Sequence, residues 1–152
     1  MKYPDLKFVF EIRVDVGPII EVGDTPSGLR RTVPIIGGTF DGPKISGRVL
    51  PGGADSQLVE ESGLTKVDAR YVIETKDGVR IEVRNSGVRH GSPEVLQRLA
   101  AGDVVDPKEY YFRTMPRFEP PNGQYEWLRR SVFIGSCERY AQLVVVKVWK
   151  VL

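Results

Sequence analysis

The chain holds one cysteine and one histidine among 152 residues. A lone Cys137 excludes an internal disulfide and fits a reducing compartment. Cys137 and His90 cannot supply a zinc site, which needs clustered His and Cys ligands at fixed spacing. A carboxylate-only site stays open. The reading is therefore no metal and no cofactor, with folding indifferent to chelator and reductant. Long apolar runs are missing too. The longest, Leu143 to Val146, falls far short of the roughly 20 residues a membrane-spanning helix needs. The opening Met1-Lys2-Tyr3-Pro4-Asp5 lacks a secretory apolar stretch. These absences point to a cytoplasmic protein with no membrane partner. Nor does one charge dominate: 22 Lys and Arg stand against 20 Asp and Glu, a net of +2. A dedicated nucleic-acid binder usually shows a large basic excess, so no nucleic-acid partner is expected.

Glycine and proline are plentiful instead, at 16 and 11. They fall between short apolar alternations, the spacing of an all-β chain with many turns. The length suits one domain over residues 1–152, large enough to bury a core without staples. The expected fold is a single closed or nearly closed antiparallel β-barrel with one short helix.

Phe8, Phe10, Ile12, Val14 and Val16 alternate with more polar neighbours, so one strand face is buried. Leu29–Ile36 and Lys44–Leu50 read as strands joined by a glycine-rich bend over Gly37–Pro43. In Lys66–Arg84 a two-residue Asp77-Gly78 loop would set Ile73 opposite Glu82. A three-residue Lys76-Asp77-Gly78 loop instead pairs Ile73 with Ile81, Tyr71 with Val83 and Glu74 with Arg80. Only the second keeps apolar groups together, and it puts Gly78 at the left-handed position. Ser92 as N-cap, Pro93 behind it and Gly102 as stop define the helix. Tyr110–Phe118 and Gln124–Val132 read as a second hairpin, with Phe118 opposite Tyr125. Gln142–Val151 is apolar on both faces. Such a strand needs a helix or another subunit outside it, and a homodimer is expected.

The chemistry is thinner. His90 in Arg89-His90-Gly91-Ser92 reads as a solvated loop histidine, since a triad through Ser92 would need geometry that sequence does not show. Gly37-Gly38 and Gly52-Gly53 precede no helix signal and no Lys-Ser/Thr pair, so neither is a phosphate loop. The hairpin register forces Arg70 opposite Arg84. Like charges so placed cost stability unless water, a shared carboxylate such as Asp68, or an anionic ligand relieves them. Asp55 in the Pro51–Asp55 loop either caps turn N–H groups or serves as a base. Tyr71, Tyr110, Phe112 and Trp127 are core residues that could also line a ligand site.

The runs Pro34–Gly42, Gly47–Asp55, Asp68–Tyr71, Thr75–Gly78, Tyr111–Thr114 and Tyr125–Leu128 resemble, in order, the uncharacterised protein family 0311, also called domain of unknown function 3237. The resemblance implies a single-domain β-barrel and little about chemistry. In that pattern an aromatic often follows Gly-Gly-Ala-Asp. Here Ser56 stands there, which would open the pocket if that position lines it.

Two function classes follow. One is a cofactor-independent acid–base enzyme acting on a small organic acid or phenol in the barrel. Asp55 would be the base, Arg70 the anion stabiliser and Tyr71 a donor, with Arg84, Tyr110, Phe112 and Trp127 binding the ligand. The other is a non-catalytic barrel that binds such a molecule. An oligonucleotide-binding barrel using Arg113, Arg117, Arg129, Arg130 and Trp127 is set aside on net charge.

Overall fold

The structure is a computed structural model and describes residues 2–152. The strands are β1 (Leu6–Val16), β2 (Ile20–Thr25), β3 (Gly28–Asp41), β4 (Ser46–Val49), β5 (Gly53–Val59), β6 (Thr65–Thr75), β7 (Arg80–Gly91), β8 (Tyr110–Glu119), β9 (Phe133–Arg139) and β10 (Leu143–Val151). One helix, α1 (Pro93–Ala100), lies between β7 and β8. All pairings are antiparallel. The neighbours run β1, β10, β9, β8, β7, β6, and β6 then meets β4 and β5, which both pair with β3. Since β3 pairs back to β1, the sheet closes. Strands β4 and β5 lie end to end and fill one place in the ring. The result is the expected closed barrel, with eight strand positions and one short helix.

The β6–β7 register is the one the sequence predicts. Ile73 pairs with Ile81, Tyr71 with Val83, Glu74 with Arg80 and Arg70 with Arg84. Gly78 closes the turn at φ 87°, a conformation that costs glycine nothing. In α1, Ser92 caps as expected, its Oγ accepting the Val95 N–H at 3.2 Å. Val95 and Leu99 are its buried stripe.

Three local segments depart from expectation. The glycine-rich bend expected over 37–43 starts later: β3 runs on to Asp41, and the chain turns only over 42–45 into β4. A Cβ on Gly38 would stand 2.0 Å from the Arg13 carbonyl oxygen, so glycine here permits close strand contact. The segment at 124–132 is not a strand. It forms a 3-10 turn at Glu126–Leu128, and Phe118 pairs with Val83. Glu126 bridges to Arg129 and Arg130 three and four residues on, and Gln124 and Tyr125 bind Asp77 across the molecule. Those contacts favour a local turn over a ladder. The supposed loop at 89–92 is mostly strand, because β7 continues to Gly91.

On the outer face of β10 the chain's own side chains cover Val145. Val145 there is only 3% exposed. Arg13 and Glu138 are its cross-strand neighbours, while Tyr140 and Lys147 converge on Glu138. Long polar side chains laid across apolar surface bury it through their stems. Trp149 is covered in turn by Phe8, ring to ring at 5.5 Å. Phe8 itself is 37% exposed, so this face keeps apolar surface open to solvent.

Candidate functional site

The barrel interior has two unlike halves. At the end where β1 begins and β8 finishes, Phe10 meets Phe40 and Phe118, and Phe118 meets Phe133, with centroids 5.3–5.9 Å apart. Leu128 and Ile81 are fully buried beside them. This half is a solid apolar plug. The other half holds a cavity of about 80 Å³, several times the roughly 10–15 Å³ that one water needs. No residue of α1 lines it. Val14, Ile35, Val144 and Val146 give it apolar walls, and its polar lining includes Asp55, Gln57, Tyr71, Asn85, Arg89 and Arg139.

Asp55 sits where two strands part. β5 and β6 pair at Asp55↔Ala69 and again at Leu58↔Lys66, with no pairing between. In that gap the Asp68 N–H turns to the side chain of Asp55, bonding Oδ1 at 2.8 Å. Gln57 Nε2 donates to Oδ2 at 2.7 Å, and Gln57 Oε1 accepts from Arg31 Nε at 2.8 Å. Burial raises the carboxyl above its ordinary range, although Gln57, Asp68 N–H and Arg89 pull the other way. The strands thus hold a carboxyl, inside the barrel, that gives up its proton less readily than a surface aspartate.

Facing it are three polar groups with no partner. Tyr71 Oη, Asn85 Oδ1 and Arg89 Nε are buried and make no hydrogen bond. Buried polar groups are nearly always bonded, so three orphans on one cavity mark a place for ligand or water. Burial, reinforced by Cys137 and Asp55, pushes Tyr71 well above the ordinary phenol range, so it remains a neutral donor. Arg89 lies over the Phe112 ring, Cζ 5.2 Å from the centroid. Burial, then the cations Arg139 and Arg31, lower its pKa to about 9, which leaves it charged at neutral pH. Deeper in, Cys137 Sγ lies 3.4 Å from Thr114 Oγ1, and burial pushes the thiol up to about 12.

A family model described as Protein of unknown function (DUF3237) matches residues 4–151. The chain belongs to this family. Among its relatives is a UPF0311 protein of Rhodopseudomonas palustris (strain TIE-1), 45% identical over 148 residues, 97% of each chain. The crystal structure of the conserved protein of unknown function RPA1785 from Rhodopseudomonas palustris superposes with a TM-score of 0.95 at 43% identity, covering 100% of this chain and 99% of that one. A more distant relative is the hydroalkoxylation enzyme phnH of Penicillium herquei, 31% identical over 83 residues, 55% of each chain.

Within this DUF3237 barrel the residues singled out from sequence divide. Asp55, Tyr71 and Phe112 line the cavity. Arg70 and Arg84 do not: both are exposed on the outer face. Neighbours on a strand point to opposite sides, so Arg70 and Tyr71 cannot both look inward. The Arg70/Arg84 opposition is relieved by Asp68, 3.3 Å from Arg84 Nε, and by water. Tyr110 supports from behind, its Oη accepting the Arg139 N–H at 2.9 Å. Trp127 is half-buried in its 3-10 turn, packed on the core away from the cavity. Ser56 is exposed and lines nothing in the cavity, so it does not open the pocket. His90 is exposed but on a strand, stacked on Tyr111 at 5.0 Å.

Polar residues that escaped the sequence reading include Arg31, Gln57, Asn85, Arg89 and Arg139. For two of them a signal existed. Counting by twos from Ile81 and Val83 reaches Asn85 and Arg89, and continued alternation puts both inside. Among the described residues no group of three His, Cys, Asp or Glu side chains could hold a metal ion.

Proposed function

We propose that this barrel is a cofactor-independent enzyme acting by acid–base chemistry on a small organic acid or phenol in its interior cavity. One observation carries the reading: a carboxyl made reluctant to ionise by burial shares a cavity with three unpartnered polar groups. A base works best with a pKa moved toward the operating pH, and burial moves Asp55 that way. In the proposed step the Asp55 carboxylate takes a proton from the substrate hydroxyl or from a carbon beside its carbonyl. The electron pair left behind collects on oxygen, where the neutral Tyr71 hydroxyl donates. The proton then returns to carbon. Hydroalkoxylation, the activity named for the fungal relative, is one reaction of this class. An O–H adds across a C=C, the oxygen bonding one carbon while the proton reaches the other.

A second reading has its own support. Both oxygens of Asp55 already accept hydrogen bonds, from Gln57 and Asp68 N–H. A carboxyl so occupied also suits a structural duty in a barrel that only binds. The experiment is a panel of small phenols and keto acids in D₂O, followed by NMR for isomerisation, cyclisation or carbon-bound deuterium. Turnover by wild type that falls by about 10²–10⁴ in Asp55→Asn supports the enzyme. Turnover unchanged in Asp55→Asn removes Asp55 from the chemistry. Binding without turnover across the panel favours the carrier.

A further inference from the structure

Arg89 is 2% exposed on the inner face of β7. Among the described residues its guanidinium has no carboxylate within ion-pair distance, and its Nε has no acceptor. Its neighbours make this stranger. Arg139 and Arg31 oppose its charge, and Asp55 is the acid on its side of the cavity. Arg31 has the Gln57 carbonyl to bond, while Arg89 has only the Phe112 ring below it. A buried charge without a direct ion pair is among the costliest features a protein keeps. A ring face offsets part of that cost, but it accepts no strong hydrogen bond from Nε. Two further orphans line the same cavity: Tyr71 Oη, a donor, and Asn85 Oδ1, an acceptor. An occupant that answered all three would bring negative oxygen to Arg89 and an O–H to the amide.

We infer that the cavity takes a small organic anion that also carries a hydroxyl, with its charged oxygens on Arg89 and its uncharged end against Tyr71 and Asn85. This rests on the interior cavity being the working site, but it does not require that the site be catalytic. Arg89 is then the residue that selects for charge. It lies on the same side of the wall as Asp55, where Arg70 does not reach.

The probe pair is 4-hydroxybenzoate and 4-hydroxybenzamide, alike in shape and different in charge, with formate as an anion too small for shape to matter. Binding is read by titration calorimetry and by the ¹⁵N-edited Nε–H resonance of Arg89. The expected result is that 4-hydroxybenzoate and formate move that resonance and that the benzoate binds at least about tenfold tighter than the amide, as a charge-assisted hydrogen bond requires. Arg89→Gln should remove that preference, and Arg70→Ala should keep it. Equal binding of acid and amide, a silent Arg89 resonance with both anions, or an undiminished preference in Arg89→Gln would each overturn the inference. If Arg89→Gln does not fold, the wild-type ratio and resonance decide. Anion preference with turnover indifferent to Asp55→Asn would sink the acid–base proposal and leave this one standing. Loss of turnover in Asp55→Asn without anion preference would do the reverse.

Discussion

Gln57 fastens Asp55 to the barrel wall: its Nε2 donates to Asp55 Oδ2 at 2.7 Å, and its Oε1 takes Arg31 Nε at 2.8 Å. One amide thus sits between a carboxyl and a guanidinium and satisfies both. Gln57→Leu keeps the bulk and leaves both neighbours short of a partner. The variant should lose about 1–3 kcal/mol of stability in urea unfolding. Its Asp55 should titrate higher still, because the Gln57 bond favours the ionised form. A ¹³C titration of the Asp55 carboxyl checks the second point.

The pH dependence follows from the direction of that shift. Burial holds Asp55 above its ordinary value of 3.8, so the folded protein binds this proton more tightly than the unfolded chain does. Protonation in the window above 3.8 therefore favours the folded state, and that stability is lost as pH rises through the folded pKa. The stability of wild type minus that of Asp55→Asn should fall with rising pH across this window and level off above it. Denaturant curves every half pH unit measure it. A difference that grows with pH would mean the carboxyl is held down instead.

Arg70 faces water, opposite Arg84. Arg70→Ala removes one of two opposed cations and should change stability by no more than about 0.5 kcal/mol. Arg84→Ala gives up the half-exposed contact with Asp68 and should cost at most about 1 kcal/mol. Thermal melts of both variants test this. A loss of several kcal/mol in Arg70→Ala would require a contact that the outer face does not show.

Phe118 joins Phe10 and Phe133 in the apolar plug. Phe118→Ala should cost about 3–5 kcal/mol by leaving a hole in a packed core. Ligand binding by the folded fraction should be spared, because the cavity lies at the other end of the barrel. Parallel unfolding and titration experiments separate the two effects.

Cys137 lines the cavity, but burial raises its thiol to about 12. Thiolate is the reactive form, so the native protein at pH 8 should take up a thiol reagent far more slowly than the urea-unfolded chain. Labelling rates in both states, followed by mass spectrometry, provide the check.

Much of the fold is legible without coordinates, and for local reasons. Alternation with period two sets which face of β6 and β7 is buried, and a three-residue turn ending in Gly78 leaves one register that keeps Ile73 on Ile81. Ser92, Pro93 and Gly102 bracket α1 because caps act on the nearest backbone groups. Asp55 and Tyr71 were within reach as site residues. The same alternation forbids Arg70 a place beside Tyr71 and counts Arg89 inward, once β7 is known to run on to Gly91.

Ring closure brings together groups that no local pattern connects. Asp55 on β5, Arg89 on β7 and Arg139 on β9 are far apart in sequence, and they share one interior because β3 returns to β1. The parting of β5 from β6 that turns the Asp68 N–H to Asp55, and the polar side chains that cover Val145, likewise depend on neighbours supplied by distant strands. Local sequence determines which way each side chain points from its own strand. The cavity's charge, and the cost of leaving it unanswered, arise only when three strands aim those side chains at the same space.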